Sequence, residues 1–136
     1  MTHTSSVPLY WRLKKSKYNV IGTRCRTCNT AYFPGRQLCQ NCRRKGEIEE
    51  LKFSGLGKIL SYTIIRTAPQ GFEQYTPYAV AVIELDEGTM ISGQIVGNPA
   101  GLKIDQRVKP VFRKISEDGS DGLIHYGMKW ELVDGQ

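Results

Sequence analysis

The chain has 136 residues, of which 40% are hydrophobic and 24% charged, and a formal net charge of +6. That length holds one modest core plus a small appended module and excludes a large multidomain enzyme. The longest aliphatic run, Ala79 to Ile83, is too short to span a bilayer, and Met1 to Val7 carries no apolar signal stretch, so no membrane contact and a cytoplasmic protein are expected.

The basic excess is local. Residues 1–50 hold ten Lys/Arg against three Asp/Glu, a net of +7, whereas residues 51–136 hold nine against ten, a net of −1. Four metal-bound thiolates would lower the first figure but leave a positive patch suited to a phosphate-bearing partner. Pro8, with Leu9 and Leu13 four apart, predicts a short helix over Val7 to Lys17. Tyr18 to Thr23 then reads as a strand leading into Cys25-Arg26-Thr27-Cys28, and Ala31-Tyr32-Phe33 leads through Pro34-Gly35 to Cys39-Gln40-Asn41-Cys42. These are two facing knuckles, and together they predict a small ribbon.

From Leu51 onward the pattern changes to strands rich in β-branched and aromatic residues: Lys58 to Arg66, Tyr78 to Leu85, Thr89 to Val96, Arg107 to Ile115 and Leu123 to Val133. In the last, Ile124, Tyr126, Met128, Trp130 and Leu132 alternate with His125, Gly127, Lys129 and Glu131, so the even positions are expected in the core and His125 outside it. Asp86-Glu87-Gly88 marks a tight turn, Gly97 to Gln106 a longer connection with room for a helical turn, and Pro110 an edge or bulge. The second strand is apolar on both faces, so the ribbon, the helix or a partner should cover one of them. The expected architecture is mainly β: an N-terminal helix and zinc ribbon over residues 1–50, then a five-stranded OB-fold barrel over residues 51–136.

Two Cys-x-x-Cys turns let four thiolates converge on one ion, and Cys25, Cys28, Cys39 and Cys42 are all the cysteines of the chain. All-thiolate coordination suits zinc or iron, and zinc is the commoner choice in a ribbon of this length, one structural ion per chain with no open position for catalysis. Disulfides, a redox dithiol and an iron electron carrier are the competing readings. No catalytic group stands out: His3 and His125 titrate near neutrality but sit in a terminus and on an outward face, and Glu84, Asp86 and Glu87 surround a turn. Gly55-Leu56-Gly57 precedes a strand and lacks a dinucleotide fingerprint.

The order Leu9-Tyr10-Trp11, Cys25-x-x-Cys28, Tyr32-Phe33-Pro34, Cys39-x-x-Cys42, Gly55-x-Gly57-Lys58-Ile59, Ser61-Tyr62-Thr63, Pro77-Tyr78-Ala79-Val80-Ala81 and Glu84-Leu85-Asp86-Glu87-Gly88 resembles the acyl-CoA-associated OB-fold proteins. This family carries an N-terminal rubredoxin-like zinc ribbon and is also known as domain of unknown function thirty-five. The resemblance implies a non-catalytic partner of thiolase-type enzymes. Small single-domain members join acetoacetyl-CoA thiolase to hydroxymethylglutaryl-CoA synthase in the mevalonate route to isoprenoids, and other members serve steroid side-chain degradation or polyketide assembly. It also implies coenzyme A contacts shared with those partners. The crowded arginines Arg24, Arg26, Arg36, Arg43 and Arg44 are the phosphate candidates, set against a reading as solvated surface cations. Asn29 and Asp105 stand where the family favours glycine, and asparagine tolerates the left-handed backbone a knuckle needs.

A zinc ribbon on a positively charged OB barrel also describes nucleic-acid-binding modules, which stack bases on exposed aromatics beside cations. Tyr62 and Tyr126 could do this. Nucleic acid is nevertheless placed second, because the barrel sums to −1 and Phe112, Tyr126 and Trp130 fall on core positions by alternation.

Overall fold

The computed structural model describes residues 7–117 and 119–133, together with all their side chains except that of Lys17; His3 lies outside the described residues. Helix α1 (Val7–Tyr18) has Pro8 in its first turn, where a missing backbone N–H costs nothing, and buries Tyr10. It packs on β8 and β1. Strands β1 (Ile21–Cys25), β2 (Ala31–Tyr32) and β3 (Ile48–Lys52) form a three-stranded antiparallel sheet in the order β2-β1-β3. Gly22 is required in β1, because a Cβ there would lie 2.1 Å from the Tyr32 carbonyl oxygen.

The remaining strands are β4 (Gly57–Ile65), β5 (Tyr78–Leu85), β6 (Met90–Ile95), β7 (Arg107–Glu117) and β8 (Ile124–Leu132). They form a closed barrel in the order β4-β5-β6-β8-β7, in which β6 and β8 run parallel and every other pair is antiparallel. The Asp86–Gly88 turn closes with Gly88 at φ 91°, its N–H donating to the Leu85 carbonyl at 2.9 Å. The connection after β6 holds a 3-10 turn (Pro99–Gly101) capped by the Asn98 side chain, which accepts from the Ala100 N–H at 3.0 Å. Pro110 lies beyond the short β4–β7 pairing, which involves only Gly57–Val108 and Lys58–Arg107, so its missing N–H breaks no ladder there.

The core is Ile59, Ala79, Ala81, Ile83, Leu85, Ile95, Leu102, Val108 and Trp130, joined by Val20 and Phe53 from either side of the small sheet. Trp130 donates its indole N–H to the Gly55 carbonyl at 3.0 Å, and Gly93 makes room for its ring: a Cβ there would sit 2.4 Å from Cε3. On β5 only the face carrying Ala79, Ala81, Ile83 and Leu85 is fully buried; Tyr78, Val80 and Val82 are half-buried, and α1 packs elsewhere.

The alternation expected of the last strand holds at Trp130 and fails toward its start. His125 and Lys129 are buried, whereas Ile124 and Tyr126 are exposed, and Phe112 is 50% exposed. The cause is length. The β7–β8 hairpin pairs with β4 and β6 only near one end, at Gly57–Val108, Lys58–Arg107 and Ile95–Trp130, and runs on beyond them through a register shift between Lys114 and Ser116. Instead of entering the core, Phe112 and Tyr126 stack 5.2 Å apart beneath Tyr18 of α1, and Tyr10 meets His125 edge-on at 5.0 Å. Tyr10 and Tyr18 share a hydrogen bond between their hydroxyls, which pushes the Tyr18 phenol up to about 12.

Candidate metal centre

The loops after β1 and after β2 bring Cys25, Cys28, Cys39 and Cys42 together, with all four sulfurs within 4.8 Å of one another. Each loop folds back in the same way. The Asn29 N–H donates to the Cys25 carbonyl at 2.8 Å and the Arg43 N–H to the Cys39 carbonyl at 2.9 Å, with Asn29 at φ 62° and Arg43 at φ 52°. That left-handed residue just past each pair turns both sulfurs of a turn to one side. Gly46 closes the floor: a Cβ there would lie 3.0 Å from the Cβ atoms of Cys39 and Cys42 and 3.1 Å from the Cys25 sulfur.

Hydroxyl donors complete the cradle. Tyr32 Oη lies 3.3 Å from the Cys39 sulfur and already accepts from the Gln40 N–H at 3.0 Å, so its own hydrogen is available to the sulfur. Thr30 Oγ1 lies 3.2 Å from the Cys28 sulfur and accepts from the Asn41 side-chain amide at 3.4 Å. Backbone donation from Cys42 and then the Tyr32 hydroxyl hold the Cys39 thiol down to about 6, and the Thr30 hydroxyl lowers Cys28. Cys42 is pushed the other way, to about 12, by its hydrogen bond with Cys28 and by burial.

The four cysteines are unbridged. Tetrahedral bonding of four sulfurs to one ion at about 2.3 Å sets S···S near 3.8 Å, and the spacing here matches that scale. Four sulfurs this close cannot all ionise without a cation between them, and several donors are already aimed at sulfur. The donor set therefore fits a four-coordinate, thiolate-bound metal ion, which these residues can hold.

The arginines singled out from the sequence do not converge on one point. Arg36, Arg43 and Arg44 line a cavity of about 720 Å³ on the outer side of the cysteine turns, together with Lys45. Arg26 is instead paired with Glu49 at 2.7 Å, and Arg24 sits half-buried in β1 facing neither cavity. A second, apolar cavity of about 870 Å³ runs between α1, the small sheet and the barrel, lined by Tyr10, Phe33, Ile91, His125 and Met128 among others. Sequence reasoning missed it because its walls come from segments more than a hundred residues apart.

With fold and centre in place, the class is clear: a mainly β protein with one helix, an OB-fold domain and a four-cysteine cluster. The family profile for the ChsH2 C-terminal OB-fold domain matches residues 51–113. The chain is 49% identical over 125 residues to a DUF35 domain-containing scaffold protein of Methanocaldococcus jannaschii, covering 91% of this chain and 89% of that one. It is 46% identical over 122 residues to a protein of the same description from Methanothermobacter thermautotrophicus, covering 89% and 92%. Among solved structures it is similar to the Ltp2-ChsH2(DUF35) aldolase, with a TM-score of 0.67 at 22% identity over 97% of this chain and 98% of that one. The chain belongs to the DUF35 scaffold protein family. No helix among the described residues is long and apolar enough to cross a membrane.

Proposed function

We propose that this protein is a non-catalytic, zinc-binding scaffold subunit of the cytoplasm that bridges an acetoacetyl-CoA thiolase and a hydroxymethylglutaryl-CoA synthase and helps acetoacetyl-CoA pass between them in the mevalonate pathway. In this reading residues 1–50 form the helix and rubredoxin-like zinc ribbon, and residues 51–136 the OB-fold barrel. The observation that carries it is the likeness, over nearly the whole of both chains, to relatives described as scaffold proteins. A fold neighbour described as an aldolase containing a DUF35 chain adds support for an enzyme partner.

The physical rationale is proximity. Thiolase-type condensation is unfavourable at equilibrium, and holding the next enzyme close raises the effective concentration of the intermediate without new chemistry. Coenzyme A offers phosphates to cations and a long arm to an apolar groove, and the cavity lined by Arg36, Arg43 and Arg44 is where the phosphates would sit. Tagging the protein in its native host and identifying what copurifies at moderate salt tests the bridge; recovery of neither enzyme would overturn it. Elemental analysis separates zinc from iron. Replacing Arg43 and Arg44 with Ala should lower coupled flux, and unchanged flux would remove the phosphate assignment.

Nucleic acid binding remains the second reading, and the structure strengthens its basis: Phe112 and Tyr126 are exposed, and Lys14 lies 5.4 Å from the Tyr18 ring beside them. A steep salt dependence of single-strand affinity, with no enzyme in the pull-down, would favour it.

A further inference from the structure

Lys129 is the most buried charged residue described, 5% exposed on β8, and burial followed by the nearby charge of Arg113 lowers its ammonium pKa. Other cations of this hairpin are neutralised: Lys109 pairs with Glu131 at 3.2 Å and Lys114 with Glu117 at 2.7 Å. Lys129 and Arg113 have no carboxylate partner among the described residues. The register sets Val111 opposite Lys129 and Arg113 opposite Gly127, so Lys129 and Arg113 share a face of the hairpin as diagonal neighbours. The contact recorded for the ammonium is the face of Tyr75, 5.0 Å from the ring centroid. Tyr75 belongs to the 3-10 turn Glu73–Tyr75 in the long β4–β5 connection, where Phe72 contacts both Tyr75 and Tyr78 at 6.0 Å. The ammonium nitrogen is not sealed off, since the buried polar atom left without a partner is Glu87 Oε2 alone among those described.

A buried ammonium held beside a second cation without a counter-charge is costly, and the fold offers a ring face in place of an anion. We propose that Lys129 and Arg113, roofed by Tyr75, form an anion site that takes the phosphate group of a small phosphate-bearing ligand. The two cations would share the phosphate oxygens, with Arg113 supplying a planar fork and Lys129 a point charge. The site is separate from the arginines beside the cysteine turns and does not rest on the scaffold reading.

The test is a titration of the metal-loaded, isotopically labelled full chain with sodium pyrophosphate at low salt, followed by amide and side-chain NMR shifts. Saturable shifts centred on Lys129, Arg113 and Tyr75 are expected. Lys129→Met should weaken binding at this site at least about tenfold and Arg113→Gln by about tenfold, while Lys103→Gln, an exposed cation elsewhere on the surface, leaves it unchanged. Should Lys129→Met fail to fold, the exposed Arg113→Gln still decides. Non-saturating shifts, shifts confined to the cysteine turns, or unchanged affinity in Arg113→Gln would overturn the site. Competition by coenzyme A or by oligothymidylate names the phosphate source, and competition by neither would overturn a biological phosphate ligand.

Discussion

Around the cysteines, single hydroxyls do work that spacing alone does not reveal. Because Tyr32 Oη and Thr30 Oγ1 each accept from a backbone or amide N–H, their hydrogens are free for the sulfurs of Cys39 and Cys28. Tyr32→Phe is expected to weaken metal binding about tenfold or more while the barrel stays folded, measured by chelator competition. Acid should act in the same direction. Near neutrality binding must displace at least the Cys42 proton, so apparent affinity falls at least about tenfold per unit of acidification, and more steeply below about pH 6, where Cys39 also takes up a proton. The clustering of the four cysteines is legible in the sequence because a doubled Cys-x-x-Cys has few alternatives. Tyr32, Thr30 and Gly46 were not, because nothing in their spacing ties them to sulfur; the left-handed Arg43 could have been foreseen from Asn29, which holds the matching position in the first turn.

At the level of elements, strands were readable from β-branched runs and turn residues, and most boundaries fall within a residue or two of expectation. The short strand Ile48–Lys52 is not legible in the sequence because Glu49, Glu50 and Lys52 give it no apolar alternation; its pairing with β1 supplies what composition does not. The phase of β8 departs from the expected one for a different reason. Period-two alternation says which residues share a face, and not what covers that face once a hairpin outgrows its barrel. Trp130, still inside, anchors the reading: Trp130→Phe leaves the Gly55 carbonyl short of its donor and should cost about 1–3 kcal/mol in urea unfolding. Gly93→Ala, which drives a methyl into the same ring, should cost a similar amount, about 1–3 kcal/mol.

For the molecule as a whole, burying a lysine has a consequence for stability. A base whose proton affinity is lower in the folded state destabilises that state while charged, so stability should rise with pH through the alkaline window between the folded and unfolded values of Lys129. Lys129→Met should accordingly raise Tm by about 3 °C while weakening pyrophosphate binding at least about tenfold, a pairing that a purely structural lysine would not show. Exposed aromatics point outward as well. Trp11 is 64% exposed, and Trp11→Ser should leave Tm nearly unchanged yet weaken retention of the proposed partner enzymes about tenfold. Fold class and cysteine cluster could thus be read from the chain, whereas the cavities and the Lys129 face, each assembled from distant segments, could not.

Val20 packs into the barrel core just before β1 begins, and that strand delivers Cys25 to the cluster at its far end. A stiff rod of about 17 Å therefore runs from the sulfurs to the barrel floor. Stripping out an ion held by the four cysteines should do more than loosen a surface turn: slack would travel down the rod, and amides near Phe53, whose N–H is held by Val20, should begin to exchange with solvent while those in the middle of β5 stay protected.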